Sequence, residues 1–501
     1  MNISVLLSIV AETVPDRVAV RDVNTQLRYG QLNRASSALG AQLKASGFEN
    51  VSMIDTNSAA FPLLFFAAAK AGIPFVPLNY RLADEQLRRQ VERLDNTLVV
   101  TDPVGAARLA GLTNATIRLR SELLKSALEP ATDVVVDSDD DQSGTAAAWL
   151  FTSGTTGEPK IVVLKHDSLA SYVLGTVDAV SASEAEAVLV SVPPYHIAGM
   201  ASVLTSMFAG RKMVYLESFD ADTWVDAAAC DGVTQAMVVP TMLQRILSVL
   251  AQRGEALPQL RNLSYGGGRM PIELIEAAMA QIPHVGFTNA YGLTETSSTI
   301  TLLGPDDHRA ALASSDPAVR ARLGSVGRPI PGLELEVRDA EGAPAGTRVQ
   351  GEIWVRGPQI SGEYKGKGSQ LQDGWFCTRD EGWLDEEGYL FLLGRVDDVI
   401  VRGGENISPG EIEDVLRTDP GVADVAVVAD PDDTWGEVPV AVIVTAEGAT
   451  PDHEALKTLV RSKLRSSRVP ARIIEVDQLP YSEIGKLLRI SVRELLREPT
   501  S

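Results

Sequence analysis

Cysteine is scarce in this chain of 501 residues: Cys230 and Cys377 are its only two, far apart and without the spacing of a metal or redox pair. That excludes a disulfide-stapled fold and a cysteine-rich zinc centre, and it fits a reducing compartment with free thiols. Positive charge is also in deficit. Lys and Arg number 45 against 66 Asp and Glu, a formal net charge of -21, which leaves little attraction for nucleic-acid phosphates or anionic lipid. No apolar run reaches the roughly 18–20 residues that span a bilayer; Phe61 to Ala69 is ended by Lys70. The opening "MNISVLLSIVAETVPDR" lacks a basic stretch and a small-residue cleavage site, so a secretory signal is not expected. No internal repeat is visible. These absences point to a soluble, cytoplasmic protein without a nucleic-acid partner or an integral membrane segment.

What is present reads as α/β. With 45% hydrophobic and 22% charged residues the composition is that of an ordinary globular protein, and the length suits about three domains around a sizeable core. From Phe61 the pattern gives a helix, a short strand around Pro74 to Pro77, a second helix and a strand at Thr97 to Val100, as layered helices and sheets require. Ala131 to Thr145, "ATDVVVDSDDDQSGT", is acidic and reads as a surface loop. The C-terminal part looks like a separate small α+β unit. Ser408 is a candidate N-cap, Pro409 takes the first helical position and Glu411 closes a capping box. Strands at Val425 to Ala429, Pro439 to Val444 and Arg472 to Val476 then surround a helix at His453 to Ser466.

The stretch "WLFTSGTTGEPKIVVLKH", Trp149 to His166, carries the strongest chemical signal. Two apolar segments, Trp149 to Phe151 and Ile161 to Leu164, read as strands joined by small residues. A phosphate grip needs backbone N–H groups that approach oxygen closely, which glycine permits, and side-chain donors to complete the shell. Thr152, Ser153, Gly154, Thr155, Thr156, Gly157 and Lys160 supply both. Glu158 and Pro159 separate the second glycine from Lys160, so the spacing is not that of a P-loop nucleoside-triphosphatase. A plain hairpin turn would not need four hydroxyls beside a lysine. In "NAYGLTETSS", Tyr291 could stack on a base, Thr294 touch a phosphate and Glu295 hold a magnesium ion that keeps its waters, although alone an ordinary polar turn has the same composition. Asp380 is an acceptor for two ribose hydroxyls and Arg395 a donor that could face the same sugar; a lone acidic loop residue is usually only solvated. Lys486, in "PYSEIGKLLR", is a mobile point charge suited to a reacting carboxylate and phosphate.

Five segments, "TSGTTGEPK", "YGLTET", "GEIWVRG", "GRVDDVIVRGGENISPGEIE" and "GKLLR", occur in the order seen in adenylate-forming enzymes. The chain resembles that superfamily of acyl-CoA synthetases, peptide-synthetase adenylation domains and luciferases, and most of all acyl- or aryl-CoA ligases. The resemblance implies an N-terminal adenylation domain of layered sheets and helices over 1–396, holding ATP and the acyl group. A small mobile α+β domain over 397–501 follows a hinge at Asp397. In such enzymes a carboxylate attacks the α-phosphate of ATP, releasing pyrophosphate, and coenzyme A then takes the acyl group. By the same resemblance Thr152 to Lys160 grips the β- and γ-phosphates. Gly267, Gly268, Arg269, Tyr291 and Gly292 surround the adenine, Thr294 contacts the α-phosphate, Glu295 holds Mg2+ and Lys486 bridges the two reacting groups. Gly403, Gly404, Glu405 and Asn406 line a pantetheine tunnel after the hinge turns. Trp435 and the basic run Arg461, Lys463, Arg465, Arg468 and Arg472 meet the nucleotide end of coenzyme A, the alternative for the run being a solvated helix face. His196 matches an aromatic position lining the acyl pocket and is not assigned as a general base. Ile197, Ala198, Gly199, Met200, Met242 and Ser297 complete a small, apolar pocket suited to a fatty or aryl acid. A monomer or a homodimer would serve equally.

Four positions depart from the family pattern. Ile161 and Arg379 stand where glycine is usual, Lys165 replaces a small hydroxyl before His166, and Arg269 occupies a normally small position. Two further readings compete with a CoA ligase: an enzyme loading a carrier-protein pantetheine, and a non-catalytic nucleotide-binding relative, against which Lys486, Asp380 and Glu295 argue.

Overall fold

The computed structural model describes residues 1–129, 142–152, 158–403, 405–482 and 487–496, with Asn406 described by its backbone alone. Contacts divide the chain into two compact units. One comprises Met1–Leu323, Arg328–Glu334 and Arg356–Phe376; the other comprises Gly324–Gly327, Leu335–Val355 and Cys377–Ser501. The border expected at Asp397 lies inside the second unit.

The first unit is built on two sheets. In one, parallel strands Val18–Arg21, Lys212–Tyr215, Ala187–Val190, Gln235–Val238, Asn262–Gly266 and Gly286–Leu293 lie in that spatial order, and Ser298–Leu303 turns back antiparallel on the last of them. In the other, Ala115–Leu119, Thr97–Thr101, Asn50–Ile54, Phe75–Pro77 and Ala146–Thr152 are parallel neighbours, extended antiparallel by Lys160–Lys165 and the two-residue strand Glu363–Tyr364. The helix, strand, helix and strand expected from Phe61 onward are Ala60–Ala71, Phe75–Pro77, Asp84–Glu92 and Thr97–Thr101.

Helix Ala60–Ala71 is apolar but for Lys70 and is buried along its whole length, as a helix without a polar face must be. Its Phe61 ring meets Phe75 edge-on at 5.2 Å. Helix Tyr29–Ser46 packs closely on it at Gly40, where a Cβ would stand 3.0 Å from Ala67 O and from Lys70 Cβ. The core formed here also takes in Val188, Val190, Met200 and Leu204, so it packs against strands of both sheets.

The second unit has a small sheet of Glu334–Arg338, Gly351–Arg356, Phe376–Leu384 and Leu390–Arg395, and a C-terminal sheet centred on the long pair Val422–Asp432 and Gly436–Thr445. Both faces of that pair are covered. Val425, Val427, Ala441 and Ile443 pack with Ile412, Leu416, Leu456 and Val460, while Ala426, Val428 and Val442 pack with Leu479 and Val492. The expected strand Arg472 to Val476 forms at Arg472–Glu475, and the expected helix at His453 to Ser466 ends at Lys463, followed by a 3-10 turn at Ser466–Arg468. Ser408 and Pro409 hold the N-cap and first helical positions of Pro409–Arg417, but the capping box does not form. The Ser408 hydroxyl donates to Leu393 O at 2.6 Å and Glu411 pairs with Arg468 at 3.0 Å, so tertiary partners win over the local cap. Most of the acidic loop expected at Ala131 to Thr145, residues 131–141, lies outside the described residues. Among the described residues no helix is long and apolar enough to cross a membrane.

Candidate active site

In the first unit the site is organised around the turn after strand Gly286–Leu293. Thr296 Oγ1 accepts from the Leu293 N–H at 3.0 Å and donates to Ser298 O at 2.7 Å, winding Thr294–Thr296 into a 3-10 turn. Ser297 and Ser298 follow at φ 55° and 106°, two consecutive non-glycine residues in the left-handed region. Such conformations cost on the order of 1–3 kcal/mol each and persist only where the surroundings over-determine them. Here they do. The buried Gln359 side chain donates to Thr296 O at 3.0 Å and Thr299 O at 2.8 Å, while the Ser361 and Gly362 N–H groups donate to Glu295 O at 3.0 and 2.9 Å. Gly292 admits no side chain, since a Cβ would sit 1.9 Å from Ser298 O. Thr294 and Glu295 are half-buried on this turn, and the Tyr364 hydroxyl donates to Glu295 Oε1 at 2.7 Å. The Ser297 hydroxyl is fully buried without a hydrogen-bond partner among the described residues.

The hairpin of Ala146–Thr152 and Lys160–Lys165 forms as expected, with Thr152 opposite Lys160 as its final pair. Ser153, Gly154, Thr155, Thr156 and Gly157 lie outside the described residues. Lys160 Nζ lies 5.2 Å from the Tyr364 ring centre. Ile161, the departure from glycine, is a buried strand residue opposite Phe151, and Lys165 pairs with Glu363 at 2.8 Å. Gly266 stands opposite Ala290 in neighbouring strands, so Gly267, Gly268 and Arg269 emerge beside Tyr291, with Arg269 exposed.

The acyl candidates separate. Asn57 Nδ2 donates to Val192 O at 3.1 Å, holding the loop that leads to His196, whose ring packs on Tyr195 at 4.6 Å. Desolvation pushes the His196 imidazole down to about 4, leaving it neutral and a weak base near pH 7. Ile197 and Ala198 are half-buried, and Gly199 approaches the Pro193 carbonyl too closely to carry a side chain. Met200 is fully buried inside the main core and Met242 is buried.

In the second unit Asp380 and Arg395 stand opposite each other in adjacent strands and form an ion pair at 3.1 Å. Arg379 adopts φ 61°, which accounts for the glycine usual there, and its guanidinium reaches Asp397 at 3.1 Å and Glu352 at 3.4 Å. Asp397 itself lies in the 3-10 turn Val396–Asp398. Gly403 has φ 58° and donates its N–H to Trp435 O at 2.8 Å, and the half-exposed Trp435 indole lies 5.5 Å from the Arg402 guanidinium. The basic run divides. Arg468 is held by Glu405 and Glu411 and Arg472 by Asp430 at 2.7 Å, while Arg461, Lys463 and Arg465 are exposed, Arg465 lying 3.6 Å from Glu405. Gly404, the Asn406 side chain and Lys486 lie outside the described residues. Both flanks of the lysine segment are fixed. Tyr481 donates to Asp424 at 2.7 Å and bridges to Leu487, and Arg489 grips the buried Glu413 through two bonds of 2.6 and 3.1 Å.

The first unit sets a carboxylate on a strained turn tied to a lysine-ended hairpin, the second holds an Asp–Arg pair, and the family to which the chain is matched makes it an enzyme of the adenylate-forming class. The chain belongs to the AMP-binding enzyme family: residues 7–365 match that family and residues 411–486 match its C-terminal domain. It is 31% identical to indoleacetate–CoA ligase of Aromatoleum aromaticum, over 97% of this chain and 96% of that one. It is 32% identical to the fatty acid–[acyl-carrier-protein] ligase ScoC of Streptomyces coeruleorubidus, over 97% and 94%. The solved o-succinylbenzoate CoA synthetase of Bacillus subtilis matches with TM-score 0.82 and 27% identity over 97% of both chains in its complex with the acyl-adenylate intermediate, and with the same score when bound to ATP and a magnesium ion.

Sequence reasoning missed Tyr364 and Gln359. Both sit in "GPQISGEYKG", an irregular polar stretch with neither strand nor helix periodicity, and they reach the site through the pairing of Glu363–Tyr364 with Val162 and Val163 and through the bonds of Gln359, Ser361 and Gly362 to the turn.

Proposed function

We propose that the chain is an ATP-dependent ligase that joins a fatty or aryl carboxylic acid to coenzyme A through an acyl-adenylate, releasing pyrophosphate and then AMP. The observation carrying this reading is the similarity, over nearly the whole chain, to enzymes that activate carboxylic acids, indoleacetate–CoA ligase among them. A free carboxylate is a poor acyl donor. Attack on the α-phosphate gives it AMP as a leaving group, and the thiol of coenzyme A then displaces AMP at the acyl carbon. Lys160 and the loop before it hold the departing pyrophosphate, and Thr294 holds the α-phosphate. Glu295 is the residue for Mg2+. Among the described residues no group of three His, Cys, Asp or Glu could hold a metal, and a single carboxylate suits an ion that keeps its waters and leans on substrate phosphates. When bound, magnesium offsets the charge of the phosphates. Asp380 accepts from the ribose hydroxyls, and Lys486 offsets charge between the carboxylate and the α-phosphate. The neutral His196 lines the acyl pocket without acting as a base. Gly403 to Asn406 and Trp435, with the exposed Arg461, Lys463 and Arg465, receive coenzyme A. The protein works in the cytoplasm.

Similarity to the fatty acid–[acyl-carrier-protein] ligase favours a second reading in which a carrier-bound pantetheine is the acceptor. A panel of carboxylic acids, each assayed for ATP–pyrophosphate exchange and for a CoA thioester, separates the readings. Exchange and thioester on the same fatty or aryl acid are expected. Exchange without thioester favours the carrier, and neither activity across the panel overturns both.

A further inference from the structure

We propose that Tyr364 is a positioning residue that holds the Glu295 carboxylate ready for its metal and ties it to Lys160; this rests on the reading that Glu295 binds the magnesium of MgATP. Three features of the first unit carry it. The Tyr364 hydroxyl donates to Glu295 Oε1 at 2.7 Å, which leaves Oε2 without a protein partner among the described residues. The face of the same ring lies 5.2 Å from Lys160 Nζ, within the range of a cation–π contact. One side chain therefore touches a carboxylate and an ammonium that lie far apart in the sequence.

The backbone carrying Tyr364 is itself fixed to both partners. Ser361 and Gly362 donate to Glu295 O at 3.0 and 2.9 Å, so the backbone and the side chain of Glu295 are gripped by one short segment. On its other side that segment joins the Lys160–Lys165 strand: Tyr364 stands opposite Val162, the Ser361 hydroxyl donates to Val163 O, the Lys365 N–H donates to Ile161 O at 2.9 Å, and Glu363 pairs with Lys165 at 2.8 Å. A glutamate on a turn would otherwise sample several rotamers and lose that freedom when a metal binds. A hydrogen bond that selects one rotamer beforehand removes that cost, and hydrogen-bond partners of a metal-binding carboxylate typically carry 10- to 100-fold in metal affinity. Magnesium takes most of its ligands from water and phosphate, so the lower end of that range is expected here.

The test compares wild type, Tyr364→Phe and Glu295→Gln. Mn2+ binding to each protein in the presence of a non-hydrolysable ATP analogue is followed by electron paramagnetic resonance, alongside thermal unfolding and the Mg2+ dependence of ATP–pyrophosphate exchange. Tyr364→Phe keeps the ring over Lys160 and loses only the hydroxyl. Its Mn2+ affinity is expected to fall about tenfold, with the Mg2+ needed for half-maximal exchange rising in parallel and the KM for the carboxylic acid unchanged. If Glu295→Gln weakens Mn2+ binding while Tyr364→Phe binds as wild type, the positioning role is overturned and the reading of Glu295 stands. If neither substitution changes Mn2+ binding, the reading of Glu295 fails and the proposal falls with it.

Discussion

Lys70 sits where an ammonium is least welcome. It is buried beneath helix Tyr29–Ser46, and its partners are neutral: Asn33 Oδ1 at 2.6 Å and Ser37 Oγ at 2.7 Å. Burial lowers its pKa from 10.5 to about 8. Below pH 8 the side chain is charged in the folded and the unfolded chain alike, so the full cost of burying the charge opposes folding. Between pH 8 and 10.5 the folded protein gives up the proton that the unfolded chain still binds, and this cost is relieved as pH rises. The stability of Lys70→Met relative to wild type is therefore expected to be greatest below pH 8 and to decline toward pH 10.5. Denaturant unfolding of both proteins at the two ends of that interval measures it, and a margin independent of pH refutes it. In the sequence Lys70 was legible only as the end of an apolar run; that it is buried depends on the neighbouring helix. Arg379 shows the same limit. Its place at a glycine position is legible, but its φ of 61° and its reach to Asp397 are properties of the folded chain.

The Thr294–Thr296 turn shows how an element can be strained and still hold one geometry. Its left-handed serines are stabilised by contacts from a segment far along the chain, and Gln359 supplies two of them to carbonyls at 2.8 and 3.0 Å. Gln359→Leu keeps the bulk and removes both donors. An unsatisfied buried acceptor costs about 1–3 kcal/mol, so a loss of about 2–6 kcal/mol is expected for the pair, seen as a lower unfolding temperature and a lower rate of adenylation. Unchanged thermal unfolding would show that the turn is held by other means. Thr294 and Glu295 were legible, because they recur together in a known motif. Gln359 and Tyr364 were not. Their stretch has no period, and their role comes from pairing two short segments with partners distant in sequence. The failed capping box at Ser408 has the same origin, since a remote carbonyl took the hydroxyl that local spacing had assigned to the helix end.

At the scale of the whole molecule, two half-reactions must use one acyl-adenylate, and Lys486 and Asp397 are proposed to divide the labour. A hinge absorbs its dihedral change in very few residues. Asp397 lies in the 3-10 turn Val396–Asp398, pinned by Arg379 at 3.1 Å on its own carboxylate and by Arg489 and Arg493 at 3.5 and 3.8 Å on that of Asp398. Arg489 also anchors the segment after Lys486 through Glu413, so the Val396–Asp398 turn and the flank of the lysine segment share one guanidinium. Proline at 397 fixes φ near -65° and removes an N–H, which restricts the turn without touching the nucleotide ligands. Asp397→Pro is expected to leave ATP–pyrophosphate exchange near wild type and to slow thioester formation from supplied acyl-adenylate. Lys486→Ala should do the reverse, abolishing exchange and sparing the second step. Measuring both partial reactions on both variants gives opposite lesions if the labour is divided in this way. Equal loss of the two steps in Lys486→Ala would remove that residue from the adenylation step, and unchanged partial rates in Asp397→Pro would move the hinge elsewhere in the chain.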